Sequence, residues 1–120
     1  MLIKSRAQAS GFNTPHGSQI TPLIDRTTSG ISQCSLAEEL LPPGHTVPAH
    51  HHEVLEEIYY ILEGTGEMTV GGETRPVAAG DAIFIPTGNI HTLTNTGATT
   101  MRLLLICGPA FYFEDHLFEK

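Results

Sequence analysis

Turns punctuate this chain too often for a long helix to form anywhere in its length. Twelve glycines and eight prolines fall among 120 residues. The short runs between them are built largely of β-branched, aromatic and aliphatic residues, the composition of strands joined by tight turns. The strongest hairpin signal is Gly71-Gly72 between the runs 65–70 and 73–77, since both central positions of such a turn take a positive φ. Pro42-Pro43-Gly44, Ala79-Gly80-Asp81 and Pro86-Thr87-Gly88-Asn89 mark further turns. They bound strand candidates at 23–27, 31–40, 46–52, 56–62, 82–85, 90–95 and 99–107. Eight or nine short strands with nearly regular turns describe an all-β sandwich or closed barrel. Helix has room only in 111–120.

At this length the chain is a single domain, residues 1–120. It is 40% hydrophobic and 16% charged, as a globular protein is and a disordered one is not. The formal charge is −7, and the six bases Lys4, Arg6, Arg26, Arg75, Arg102 and Lys120 are scattered. Nucleic acid and anionic membranes are bound by concentrated positive charge, so neither is expected as a partner. Residues 1–10 carry no apolar stretch of the secretory kind, and the run 103–107 is too short to span a bilayer. Cys34 and Cys107 make no disulfide framework and are expected as buried free thiols, which suits a reducing, cytoplasmic setting.

Chemistry concentrates at Pro48-Ala49-His50-His51-His52-Glu53. On a strand, His50 and His52 face one way and His51 the other. Two imidazoles on one face can share an ion, and a carboxylate from an adjoining strand with a further imidazole would complete its shell. Glu57 and His91 each stand near the start of a strand candidate.

The spacing around them is particular. Gly44, five residues, His50, one, His52, four, Glu57, six, Gly64 forms one block. Gly80, five residues, Pro86, one, Gly88, two, His91, three, Asn95 forms a second. These blocks resemble the two signature motifs of the cupin superfamily, with every motif position filled, and the short stretch between them is similar to that of the compact single-domain microbial cupins. The resemblance implies a double-stranded β-helix, or jelly-roll barrel, at about 23–107, with an N-terminal arm at 1–22 and an aromatic C-terminal segment at 108–120. It also implies one divalent metal ion inside, held by His50, His52, Glu57 and His91. Glu56 is the alternative carboxylate, disfavoured because it should point to the opposite face and lacks the six-residue spacing to Gly64. Asn95 would hold nearby backbone.

Three imidazoles and one carboxylate suit Fe, Mn, Ni, Co, Cu or Zn in the divalent state. On an octahedral ion they leave two positions open to a substrate. Dioxygenase-type oxidation of a chelating, partly apolar substrate is placed ahead of redox-neutral isomerase, cyclase or lyase chemistry. A non-catalytic metal- and ligand-binding module is the remaining alternative. Tyr59, on the face of Glu57, is the expected substrate contact, and Tyr59, Glu67 and Gln33 are the candidate bases, none of them compelling. Met68, Ile83 or Ile85, and Met101 should help to line the interior, and the shortage of Arg and Lys argues against a multiply anionic ligand. The opposite face of the same strand, Ile58, Tyr60 and Leu62, is apolar as well, which predicts sheet-on-sheet pairing into a homodimer. The run Ala110-Phe111-Tyr112-Phe113 should cover the barrel or pack against a second subunit, with a lid over the pocket mouth as the alternative.

Overall fold

A computed structural model of the protein describes residues 1–119. The strands in chain order are β1 (Phe12–Asn13), β2 (Gln19–Ile24), β3 (Ser35–Leu41), β4 (Thr46–His51), β5 (Glu56–Glu63), β6 (Thr65–Val70), β7 (Glu73–Ala78), β8 (Ala82–Ile85), β9 (His91–Asn95), β10 (Met101–Gly108) and β11 (Leu117–Phe118). They form two antiparallel sheets, ordered β1-β2-β3-β10-β5-β8 and β11-β4-β9-β6-β7. From β3 onward every connection except the β6–β7 hairpin crosses from one sheet to the other, so the chain closes as a jelly-roll barrel.

The nine longer strands follow the turn signals closely, and the discrepancies lie at the ends. The strand expected at 23–27 is β2, which begins at Gln19 and pairs with β3 from Gln19↔Leu40 to Ile24↔Leu36. Pro22 gave no warning of this, because a proline removes a donor only where the ladder needs one. The C-terminal region forms a single 3-10 turn (Phe113–Asp115) followed by β11, which adds to β4 through Leu117↔His51. The helix considered for 111–120 does not form over its described part, and its last residue, Lys120, lies outside the described residues.

The hairpin between β6 and β7 turns on Gly71 (φ 58°) and Gly72 (φ 92°), the two left-handed positions its sequence demanded. Gly64 (φ 95°) is required twice over, because a Cβ there would also stand 2.9 Å from Met101 Cγ.

Inside the barrel, Leu41, Val47, Tyr59, Ile61, Met68, Ile85, Leu93, Met101 and Leu103 form one apolar cluster. Of the two isoleucines considered for the lining, Ile85 is in this cluster, and Ile83 is half-buried and packs against it. Strand parity explains β5: Glu57, Tyr59 and Ile61 are buried while Ile58 and Tyr60 are exposed. Cys107 is buried as expected, but Cys34 is exposed. Cys34 precedes β3, whose first residue is Ser35, and so lies outside the strand that would bury it.

Candidate metal centre

Backbone register brings the site together from both sheets. His50 of β4 is paired with His91 of β9, and His52 follows β4 directly. Glu57 of β5 belongs to the other sheet, paired with Cys107 and with Ile85. The carboxylate therefore reaches the histidines across the barrel, where an adjoining strand had been expected. One ligand atom from each of His50, His52, Glu57 and His91 lies within 4.8 Å of all the others, and all four residues are buried. Glu56 is exposed on the opposite face, as parity required.

Each imidazole is oriented by its other nitrogen. His50 Nδ1 lies 2.8 Å from the Pro48 carbonyl, His52 Nδ1 2.6 Å from that of Asp115 and His91 Nδ1 3.0 Å from that of Asn89. A carbonyl can only accept, so Nδ1 carries the proton in all three, and in the neutral ring Nε2 presents a lone pair. On the carboxylate, Cys107 Sγ donates to Glu57 Oε2 at 3.3 Å. Oε1 stands 3.4 Å from His52 Nε2 and 3.5 Å from His91 Nε2.

Among the described residues, three buried side-chain atoms are left without a hydrogen-bond partner: His52 Nε2, His91 Nε2 and Glu57 Oε1. Buried polar atoms are rarely orphaned, because each costs about 1–3 kcal/mol. Here the orphans converge on one point, and all are donors of electron pairs. A divalent cation satisfies them together, so the residues present fit the group that the motif implied.

The electrostatics favour the same occupant. Burial, reinforced by His91 and His116, holds the His50 ring down at about 3, so it stays neutral near pH 7. Burial alone would lower His52 and raise Glu57, but the pair acts the other way. Glu57 raises His52, while His52 and His91 bring the Glu57 carboxyl to about 2. A cation entering the site would meet an ionised carboxylate. Tyr59 is driven well above the ordinary phenol range by burial and by the charges of Glu57 and Glu39, which keeps its hydroxyl a donor.

Sequence reasoning missed the C-terminal contribution. His116 stacks on His50 with centroids 4.1 Å apart and an interplanar angle of 6°. Phe111 and His116 each set a ring edge-on against His52, at 6.5 and 5.5 Å. The aromatic segment thus packs over the mouth of the histidine cluster. No motif marks His116, and only its place among Phe111, Phe113 and Phe118 hinted at it. Of the weaker candidates, Tyr59 lies inside with its ring 6.0 Å from that of His91, whereas Glu67 and Gln33 are exposed and away from the cluster. Asn95 holds backbone at the far end of β9, donating to the Leu41 and Thr99 carbonyls.

Comparison with known proteins agrees with this architecture. Residues 37–107 match the family profile described as Cupin domain. An uncharacterized protein of Methanocaldococcus jannaschii is 40% identical over 105 residues, covering 87% of this chain and 83% of that one. The oxalate-binding protein of Thermotoga maritima is 44% identical over 66 residues, 55% of this chain, and the matched part spans only about half (54%) of that relative's length. A Thermotoga maritima crystal structure described as a predicted oxalate decarboxylase superposes with a TM-score of 0.81 at 29% identity, covering 91% of this chain and 99% of that one.

Proposed function

Because this chain belongs to the cupin family, we propose that it holds one divalent transition metal on His50, His52, Glu57 and His91 and uses it to bind and transform a small chelating carboxylic or 2-oxo acid. The observation that carries this reading is the convergence of orphaned buried donor atoms on one point. When bound, the metal would supply Lewis acidity at two open positions. The chain's own residues orient the imidazoles, exclude water with Phe111 and His116, and offer the Tyr59 hydroxyl to the ligand. Three neutral imidazoles and one carboxylate around a dication leave one net positive charge, which relaxes the expectation against anionic ligands drawn from the scarcity of Arg and Lys.

Dioxygenase-type oxidation needs nothing further from the protein than open coordination. Redox-neutral chemistry at a chelated acid is the reading supported by two relatives, one described as oxalate-binding and the other as a predicted oxalate decarboxylase. The test begins with protein purified without an affinity tag. About one equivalent of metal per chain is expected. Oxalate should bind the metal-loaded form and not the stripped form, and should raise its stability by about 2.7 kcal/mol at a hundredfold excess over Kd. Equal binding by stripped protein would overturn the proposal, and oxygen consumption with chelating acids would restore the dioxygenase reading.

The proposal extends to a homodimer formed through the outer face of the larger sheet. Ile58 is paired with Phe84 on one side and Ile106 on the other, and Ile58, Tyr60 and Phe84 are exposed. Such an apolar strip suits a second copy of the same face. Phe84→Glu should convert a dimer to a monomer in sedimentation. An unchanged sedimentation coefficient would remove this face as the interface.

A further inference from the structure

Ser35 of β3, Cys107 of β10 and Glu57 of β5 stand in one row across the larger sheet, Cys107 in register with both of the others. Residues directly opposite on antiparallel strands face the same way, so all three side chains point into the barrel. All three are buried, and only Glu57 belongs to the donor cluster.

The row ends in a carboxylate whose two oxygens are committed to different directions. Cys107 Sγ lies 3.3 Å from Glu57 Oε2. An ionised carboxylate can only accept, so the thiol keeps its proton and donates it. Among the described residues no other group hydrogen-bonds Oε2. Oε1 has no hydrogen-bond partner among them and faces His52 and His91 instead. Behind the sulfur, Ser35 Oγ accepts the Phe111 N–H at 2.8 Å, which leaves its own proton free for Cys107.

A thiol suits this place because it is a weak donor. Glu38, on the outer face of the same sheet, is clamped by Arg6 Nε at 2.8 Å and Arg102 Nε at 2.7 Å, which compensate its charge. Glu57 has no Arg or Lys partner among the described residues, so its charge remains for a metal. With an apolar side chain at 107, Oε2 would become a buried carboxylate oxygen without a donor. The ion would be the one group left to satisfy it. Glu57 would then chelate through both oxygens and take a coordination position from the ligand.

We propose that Cys107 is a positioning residue for the metal centre: its thiol holds Oε2 aside, so that Glu57 binds through Oε1 alone and leaves two positions for a chelating ligand. The inference rests on the metal reading above and deepens it, because the preference for chelating acids over monodentate anions then resides in Cys107.

The probes are zinc for Glu57 itself, and oxalate and azide for the open positions. In wild type, the infrared difference on zinc loading should show the wide carboxylate splitting of monodentate binding. Cobalt-loaded Cys107→Ala, titrated by visible absorption, should bind oxalate about tenfold more weakly, the lower end of what outer partners of a metal site carry. Azide needs one position and should bind as it does to wild type. Cys107→Ser restores a donor and should recover the preference for oxalate. A merely structural residue would move both ligands together and would not be rescued by serine. A chelating carboxylate signature in zinc-loaded wild type would overturn the proposal, and that measurement stands even if Cys107→Ala fails to fold. So would an oxalate-to-azide affinity ratio in Cys107→Ala within about threefold of wild type, well below what such partners carry. Zinc uptake without oxalate binding in wild type would instead overturn the function proposed above, and the infrared result would still decide how Glu57 binds.

Discussion

Glu57→Ala should abolish metal occupancy at micromolar metal, a loss of more than the roughly 10–100-fold that outer partners of a metal site typically carry. Glu57 supplies the one carboxylate among the four clustered donors, and it is buried with Oε1 facing His52 and His91. Without it, a dication would sit in a buried site with no compensating anion. Glu57→Gln should fare nearly as badly, because the shape is kept but the charge is lost. His52→Ala removes a neutral donor and should cost less than Glu57→Ala. Elemental analysis after dialysis against a weak chelator, with circular dichroism to confirm the fold, separates these outcomes. Full occupancy in either Glu57 variant would show that the cluster is not the metal site.

What could be read in advance divides along physical lines. Strand alternation and glycine turns are local, so β3 to β10 and the inward set Glu57, Tyr59 and Ile61 follow from the sequence nearly as they stand. The histidines were legible for the same reason: His50, His52 and His91 sit at fixed offsets from turns that their own glycines and prolines define. Glu57 was assigned correctly to the inward face, but its sheet was not, because strand neighbours in a jelly roll are set by crossings that no local pattern encodes. His116 and Asp115 were not foreseen, since they act through a two-residue strand docking on β4 and a 3-10 turn, both too short to have a period. The inward placement of Glu39 was legible too, since it shares parity with Ser35, Ala37 and Leu41.

Asp115→Ala should destabilise the metal-free protein by about 2–4 kcal/mol, a large effect for a residue outside the four-residue donor set. Its carboxylate accepts backbone N–H bonds from Glu53 at 2.9 Å, from Val54 at 3.2 and 3.1 Å, and from Leu55 at 2.9 Å. Those three residues make up most of the link between His52 and Glu57, and the Asp115 carbonyl receives the His52 Nδ1 proton at 2.6 Å. Truncation would leave the buried Leu55 N–H unpaired and release the turn that orients His52, so metal affinity should also fall by about 10–100-fold. Burial raises the Asp115 carboxyl, but the three backbone N–H groups outweigh it and bring it below its ordinary 3.8. A carboxyl lowered on folding contributes stability that is complete above the unfolded value and lost as pH falls through the folded one. The gap between wild type and Asp115→Asn, measured by urea denaturation in a chelator, should therefore be constant from neutral pH down to about 5 and close below the ordinary aspartate value near 3.9. A gap that stayed constant into acid would mean that the charge on Asp115 contributes nothing and that its shape alone holds the loop.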